Sequence, residues 1–257
     1  MPTSHKLTFV RPLPYHRATT AKADLWIAQD AAGVPVAAKV ARASHARLGI
    51  KEANRLAELA HPNVVPVLTR GRTPEGRPYF AMPLLPGSLN DWSERPVTSE
   101  GIARALRDVL TGLEHLHQHG YAHGDVSLGN ILRGPEGYVL ADFESLHRLW
   151  DANASPRRRA TIETAAPEIL HGRVRAPTIG TDLYSVGVVA HDLLACGRPI
   201  IRDEDTPEQD GERAAAKRKP PAWPRFAHWQ DFLDRALEPD PKDRFRTAAE
   251  MLAALPQ

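Results

Sequence analysis

The hydrophobic pattern of this chain turns from mainly strand-like to mainly helical in the mid-eighties, and that change limits the possible folds more than any other feature. Before it, short apolar runs at Leu7–Pro14, Asp24–Asp30 and Val34–Val40, broken by turn residues such as Ala32-Gly33, read as strands. One helix interrupts them. Arg47–Ala60 places Leu48, Leu56 and Leu59 at helical spacing, and His61-Pro62-Asn63 stops it. Val64–Thr69 and Tyr79–Pro83 are expected to complete an antiparallel sheet, joined through Arg72-Thr73-Pro74-Glu75-Gly76. After Pro83–Gly87, the natural joint, the pattern is helical. Ser99–His119 sets Ile102, Leu106, Val109, Leu110, Leu113 and Leu116 on one stripe, with Ser99 as the expected N-cap. Thr181–Cys196 is apolar nearly all round, the mark of a buried helix, and Phe226–Leu237 and Thr247–Leu255 are amphipathic. Ile201–Pro221 reads as a charged, Pro-rich surface excursion. Strands first and helices after predict an α+β protein, and 257 residues suit one large domain or two tightly joined lobes.

Composition narrows the function classes. A hydrophobic fraction of 42% in 257 residues is enough for a real core, and a net charge of +2 gives no global case for nucleic acid or a membrane surface. The single cysteine, Cys196, excludes internal disulfides and any multi-cysteine metal site, and reads as a small core residue. No run of about 18 apolar residues is present. Met1–Val10 lacks the apolar region of a signal peptide. These readings together predict a soluble, cytoplasmic protein.

The chemistry concentrates in His123-Gly124-Asp125-Val126-Ser127-Leu128-Gly129-Asn130 and in Asp142-Phe143-Glu144. An Asp and an Asn on one loop, with a second Asp after a short hairpin, can hold a metal ion against a polyphosphate. One amide and one carboxylate are hard oxygen ligands that suit Mg²⁺ or Mn²⁺. In Val36-Ala37-Ala38-Lys39-Val40, alternation puts Ala37 and Lys39 on one face and Val36, Ala38 and Val40 on the other. Leu48, Glu52 and Leu56 share a helix face, so Glu52 points at a core and needs a cation, for which Lys39 is the upstream candidate.

These segments resemble the H-R-D-L-x-x-x-N and D-F-G motifs of eukaryotic-type protein kinases. The resemblance spans nearly the whole chain and implies a bilobal kinase-like domain over 1–257. Its N-lobe is expected at about 1–82, its hinge at about 83–87 and its C-lobe at about 88–257. Lys39 and Glu52 then resemble the ion pair that fixes the ATP phosphates, Asp125 the catalytic base, and Asn130 and Asp142 the metal ligands. Leu25 and Ala37 are expected to roof the adenine, with Leu132 as its floor. Met82 takes the gatekeeper position, Pro83 offers its carbonyl and Leu85 its N–H. His123 is expected to pack on Phe143. Ala166-Pro167-Glu168 resembles the end of an activation segment, Asp182 the residue that braces the catalytic loop through backbone N–H groups, and Arg244 the buried partner of Glu168. The implied function is a protein Ser/Thr kinase using ATP with Mg²⁺ or Mn²⁺ on a protein substrate. The alternatives are a pseudokinase, a nucleotide-binding or allosteric interaction module that regulates a partner protein, and, behind it, a small-molecule phosphotransferase. No nucleic-acid or membrane partner is expected.

The sequence departs from that family pattern in four places. Ala18, Thr20 and Ala23 stand where a phosphate-covering loop has glycines. Gly124 replaces the Arg that meets a phosphorylated activation loop, Ser127 replaces a Lys, and Glu144 replaces the Gly of D-F-G. Ser155, Thr161 and Thr164 are candidate phosphosites, Thr161 following Arg157-Arg158-Arg159. By register the Thr161 hydroxyl is also expected to support Asp125.

Overall fold

Four segments of alternating or small-residue character fold as β1 (Thr8–Pro12), β2 (Ala23–Gln29), β3 (Pro35–Ala41) and, after helix α1 (Ala46–Glu58) and strand β4 (Thr69–Arg72), β5 (Pro78–Pro83). The computed structural model describes residues 7–13, 22–91, 98–149, 161, 163–195 and 224–256. Two units emerge, Met1–Pro86 and Gly87–Gln257.

In the first unit the five strands form one antiparallel sheet of order β1-β2-β3-β5-β4. Register sorts its faces. Residues directly opposite across strands share a face, as do residues two apart along one strand. Leu25, Lys39 and Phe80 are opposite one another, and so are Ile27, Ala37 and Met82. Those six therefore lie on one face. The other face carries Ala28, Val36, Ala38, Val40, Tyr79 and Ala81, which pack into an apolar cluster with Leu7, Phe9 and Trp26. The aromatic rings of Phe9, Trp26 and Tyr79 meet edge to face there. The α1 helix packs against β3 and β5. The strand expected over Val64–Thr69 begins only at Thr69. Pro66 lies in that run and has no N–H for a ladder. Val64 and Val65 bury their side chains without becoming strand.

The second unit is built around α2 (Ser99–Gln118), followed by the short strands β6 (Tyr121–Ala122), β7 (Ile131–Arg133), β8 (Tyr138–Leu140) and β9 (His147–Arg148). Then come the one-turn helix α3 (Pro167–Leu170), the buried helix α4 (Ile179–Leu194) and two closing helices, Gln230–Ala236 and Ala248–Ala253. The predicted stripe on α2 is buried throughout and packs on α4 and on the Ala248–Ala253 helix. Thr98, not Ser99, caps α2 by accepting the Gly101 N–H at 3.1 Å. Ser99 instead accepts a hydrogen bond from Trp229 Nε1 at 2.8 Å, a long-range tie that no local pattern signals. Thr178 and Thr181 form a reciprocal capping box on α4. The helix expected over Phe226–Leu237 starts as a 3-10 segment, Pro224–Trp229, and becomes α-helical from Gln230. Cys196, Ser155, Arg157–Arg159 and Ile201–Pro221 lie outside the described residues, as do Ala18 and Thr20. Among the described residues, no helix is long and apolar enough to cross a membrane.

Candidate active site

In the first unit, Lys39 Nζ lies 2.9 Å from Glu52 Oε1, and the two side chains are 6% and 9% exposed. Desolvation makes each charge dependent on the other. Glu52 reaches Lys39 because α1 lies across the sheet face that also carries Leu25, Ala37, Phe80 and Met82. Ala37 is buried, whereas Leu25, Met82, Pro83 and Leu85 are half-buried. Ala37 stands directly opposite Met82, and Leu25 directly opposite Lys39. Leu25, Ala37 and Met82, expected from the sequence to line a flat-ring slot, thus share one sheet face with Lys39. Leu48 lies in α1, but its side chain is outside the described set.

In the second unit, the hairpin of β7 and β8 ends with Asn130 on one side and Asp142 on the other. Ala141 N–H donates to the Asn130 carbonyl at 2.9 Å, so the residues before β7 and after β8 are tied together. Asn130 turns its amide back on the loop. Nδ2 donates to the Asp125 carbonyl at 2.7 Å and to Asp125 Oδ2 at 2.9 Å. Both amide hydrogens are engaged, which leaves the amide oxygen as the atom that can face a cation. Asp142 has φ 59°, the only positive φ at a non-glycine among the described residues, and it leads into the 3-10 turn Phe143–Ser145. The positive φ is therefore on the aspartate, and Glu144 occupies the family's glycine position at a negative φ. Leu132 sits between these residues on β7, half-buried and bridged to Ser88.

Asp125 is held on both oxygens. Oδ1 accepts the Thr161 hydroxyl at 2.6 Å and the Thr161 N–H at 2.9 Å, and Oδ2 accepts from Asn130. The Thr161 contact expected from register is thus present. Thr164, also considered as a phosphosite, is 4% exposed. Its hydroxyl donates to the Thr161 carbonyl and its own carbonyl accepts from Ser185. That packing counts against Thr164 as a phosphosite, because a phosphate there would have to displace buried structure.

His123 is fully buried and packs on Phe143 with ring centroids 4.9 Å apart. Its Nδ1 accepts the Asp125 N–H at 3.3 Å, and Nε2 donates to the Ala141 carbonyl at 3.1 Å. Both nitrogens are used, so His123 is a structural residue. Behind it, Asp182 accepts the N–H of His123 at 2.8 Å and of Gly124 at 2.9 Å. A third partner, His117 Nε2, lies 3.0 Å away. His117 escaped the sequence reading. The available signal was a histidine sharing the apolar stripe of α2 with Leu113 and Leu116, where a polar ring needs a partner. Gly124 has φ 78°, and a Cβ there would fall 2.6 Å from Pro177 Cγ and 2.7 Å from the Ser145 carbonyl oxygen. Its missing side chain is a packing requirement here, as well as the loss of an Arg. Ser127 is 4% exposed, and its hydroxyl has no hydrogen-bond partner among the described residues.

Farther along, Glu168 and Arg244 pair through two parallel bonds of 2.9 Å. Arg244 also donates to the carbonyls of Glu238, Gly180 and Pro239 and stacks over Tyr184, 4.6 Å from its ring centroid. All five guanidinium donors are thereby satisfied in a residue 1% exposed.

A model of the protein kinase domain matches residues 25–254. The chain belongs to the protein kinase domain family. Among its protein kinase relatives is the DNA damage-responsive serine/threonine-protein kinase RqkA of Deinococcus radiodurans, 34% identical over 166 residues, which are 61% of this chain and 24% of that protein. Serine/threonine-protein kinase PknB of Mycolicibacterium smegmatis is 31% identical over 239 residues, 86% of this chain and 38% of that protein. Serine/threonine-protein kinase Pkn1 of Myxococcus xanthus is 29% identical over 219 residues, 79% of this chain and 31% of that protein. This kinase domain therefore spans between about a quarter and two-fifths of the curated relatives it matches.

Proposed function

We propose that this kinase domain is an active protein Ser/Thr kinase that transfers the γ-phosphoryl group of ATP to a protein hydroxyl. The observation that carries this is the state of Asp125. A carboxylate offers about four acceptor positions. Three are filled by Thr161 and Asn130. Among the described residues one remains for the O–H of an acceptor.

In the proposed reaction the acceptor O–H hydrogen-bonds to Asp125. Its oxygen forms a bond to the γ-phosphorus as the bond from that phosphorus to the β–γ bridging oxygen breaks. ADP departs, and the proton passes to Asp125. Thr161 and Asn130 keep the carboxylate from turning away, and Lys39, held by Glu52, contacts the α- and β-phosphates. Leu25, Ala37, Met82, Pro83, Leu85 and Leu132 are proposed to bind the adenine.

Asn130 and Asp142 supply only two hard oxygen donors, and no group of three or more His, Cys, Asp or Glu side chains able to hold a metal occurs among the described residues. That suits Mg²⁺ or Mn²⁺ arriving with phosphates and water as its other ligands, rather than a resident ion. Bound there, the cation would offset charge on the transferred group.

Incubation with labelled ATP, Mg²⁺ or Mn²⁺ and generic protein acceptors tests the reading. Incorporation should be lost in Asp125→Ala, Lys39→Ala and Asp142→Ala. Equal labelling by the folded parent and Asp125→Ala would refute it.

A further inference from the structure

Gly49 lies inside α1, where glycine is among the poorest helix formers, so its presence asks for a packing reason. An ideal Cβ on Gly49 would come 2.7 Å from Ala41 Cβ, closer than real Cβ atoms approach. Helix and strand therefore meet here at a distance only glycine allows.

The position of this contact is informative. Ala41 follows Lys39 by two residues on β3 and shares its face. Gly49 precedes Glu52 by three residues on α1 and lies on the same side of the helix. The interface between α1 and β3 thus has two neighbouring rungs. One is the 2.9 Å bond between Lys39 and Glu52. The other is Ala41 against Gly49, with Ala41 4% exposed. A side chain at position 49 must move the helix off the strand or rotate it, and the adjacent rung is a directional contact that tolerates little of either.

We propose that Gly49 is a positioning residue: by lacking a side chain it sets the spacing of α1 from β3 and holds Glu52 closed on Lys39. The importance of this for catalysis rests on the kinase reading, but the geometric claim does not. The other polar contacts of Lys39 and Glu52 are compatible with it, because the proposal concerns the distance between their backbones.

The experiment uses Gly49→Ala, Ala41→Gly and the double variant in the full chain. Two readouts are compared: the rate at which an amine-acylating reagent labels Lys39, followed by mass spectrometry, and the KM for ATP against kcat. Gly49→Ala should accelerate Lys39 labelling and raise the KM for ATP about tenfold, with a smaller fall in kcat, as expected for loss of a charge-assisted contact. Ala41→Gly in the Gly49→Ala background removes the opposing Cβ and should restore both. Helix propensity alone predicts the opposite sign, a higher Tm with labelling and KM unchanged. That result, or failure of the double variant to restore labelling, would overturn the proposal. If the parent chain shows no turnover, the kinase reading falls while the labelling series still decides the role of Gly49.

Discussion

Thr161 donates twice to one oxygen of Asp125, through its hydroxyl at 2.6 Å and its backbone N–H at 2.9 Å. Only the hydroxyl can be removed by substitution. Thr161→Val should lower kcat by roughly 10- to 100-fold, the range for losing a hydrogen bond to a charged group, with little change in the KM for ATP. Thr161→Ser keeps the hydroxyl and should recover most of the rate. Thr161→Glu sets a negative charge against the Asp125 carboxylate and should be inactive. Steady-state kinetics on the three variants checks all of this.

Gly124 has a left-handed φ of 78°, and two sub-3 Å approaches await any Cβ placed on it. Gly124→Ala should destabilise the domain by about 1–3 kcal/mol through strain and displacement of Pro177. Gly124→Arg, which restores the residue usual in the family, should be no better. Urea unfolding followed by circular dichroism distinguishes these from the parent.

Arg244 is a buried cation whose removal leaves Glu168 charged and three carbonyls without their donor. Arg244→Ala should cost about 3–5 kcal/mol, or prevent folding outright. Arg244→Lys cannot reproduce the fork geometry and should lose more than half of that amount. Thermal and chemical denaturation measure both.

Ser127 contributes a buried hydroxyl that has no hydrogen-bond partner among the described residues. An unsatisfied buried polar group is costly, so Ser127→Ala should stabilise the fold by about 1 kcal/mol. If Ser127 contributes nothing to phosphate handling, kcat should be unchanged. A loss of kcat with a raised Tm would assign the hydroxyl to the reaction instead.

Burial holds the pKa of His61 below its ordinary value of 6.5, and its Nδ1 accepts the Asn63 N–H at 3.1 Å. The unfolded chain therefore takes up this proton first as pH falls. The stability linked to His61 is intact above 6.5 and declines below it, until the folded state protonates as well. His61→Asn keeps an acceptor for Asn63 and does not titrate. Its urea midpoint should gain on that of the parent as pH drops from about 7.5 to about 5.5.

Much of this was legible from residue order. The two faces of β3 follow from alternation of period 2, and the paired register carries that division across Leu25, Phe80 and Met82. Glu52 was readable because a carboxylate on an apolar helix face has few explanations. The failures share a cause. Thr98 and Ser99 are both competent caps, and only Trp229, far away in sequence, decides between them. Val64–Thr69 has strand composition, but Pro66 cannot donate to a ladder. Thr164 looks like its loop neighbours in sequence, and neither its burial nor the hydrogen bond from Ser185 to its carbonyl has a local signal. Gly49 acts through a distance between two backbones, which no pattern along one chain encodes.

Asp182 is 1% exposed and holds the amides of His123 and Gly124 from within the first turns of α4. Loops ordinarily open by local fraying, and their amide protons then exchange quickly with solvent. Releasing these two would uncover a buried carboxylate in the first turn of α4. The stretch carrying Asp125 is therefore expected to loosen together with the N-terminal turn of α4, so an irregular loop shares the exchange protection of a buried helix.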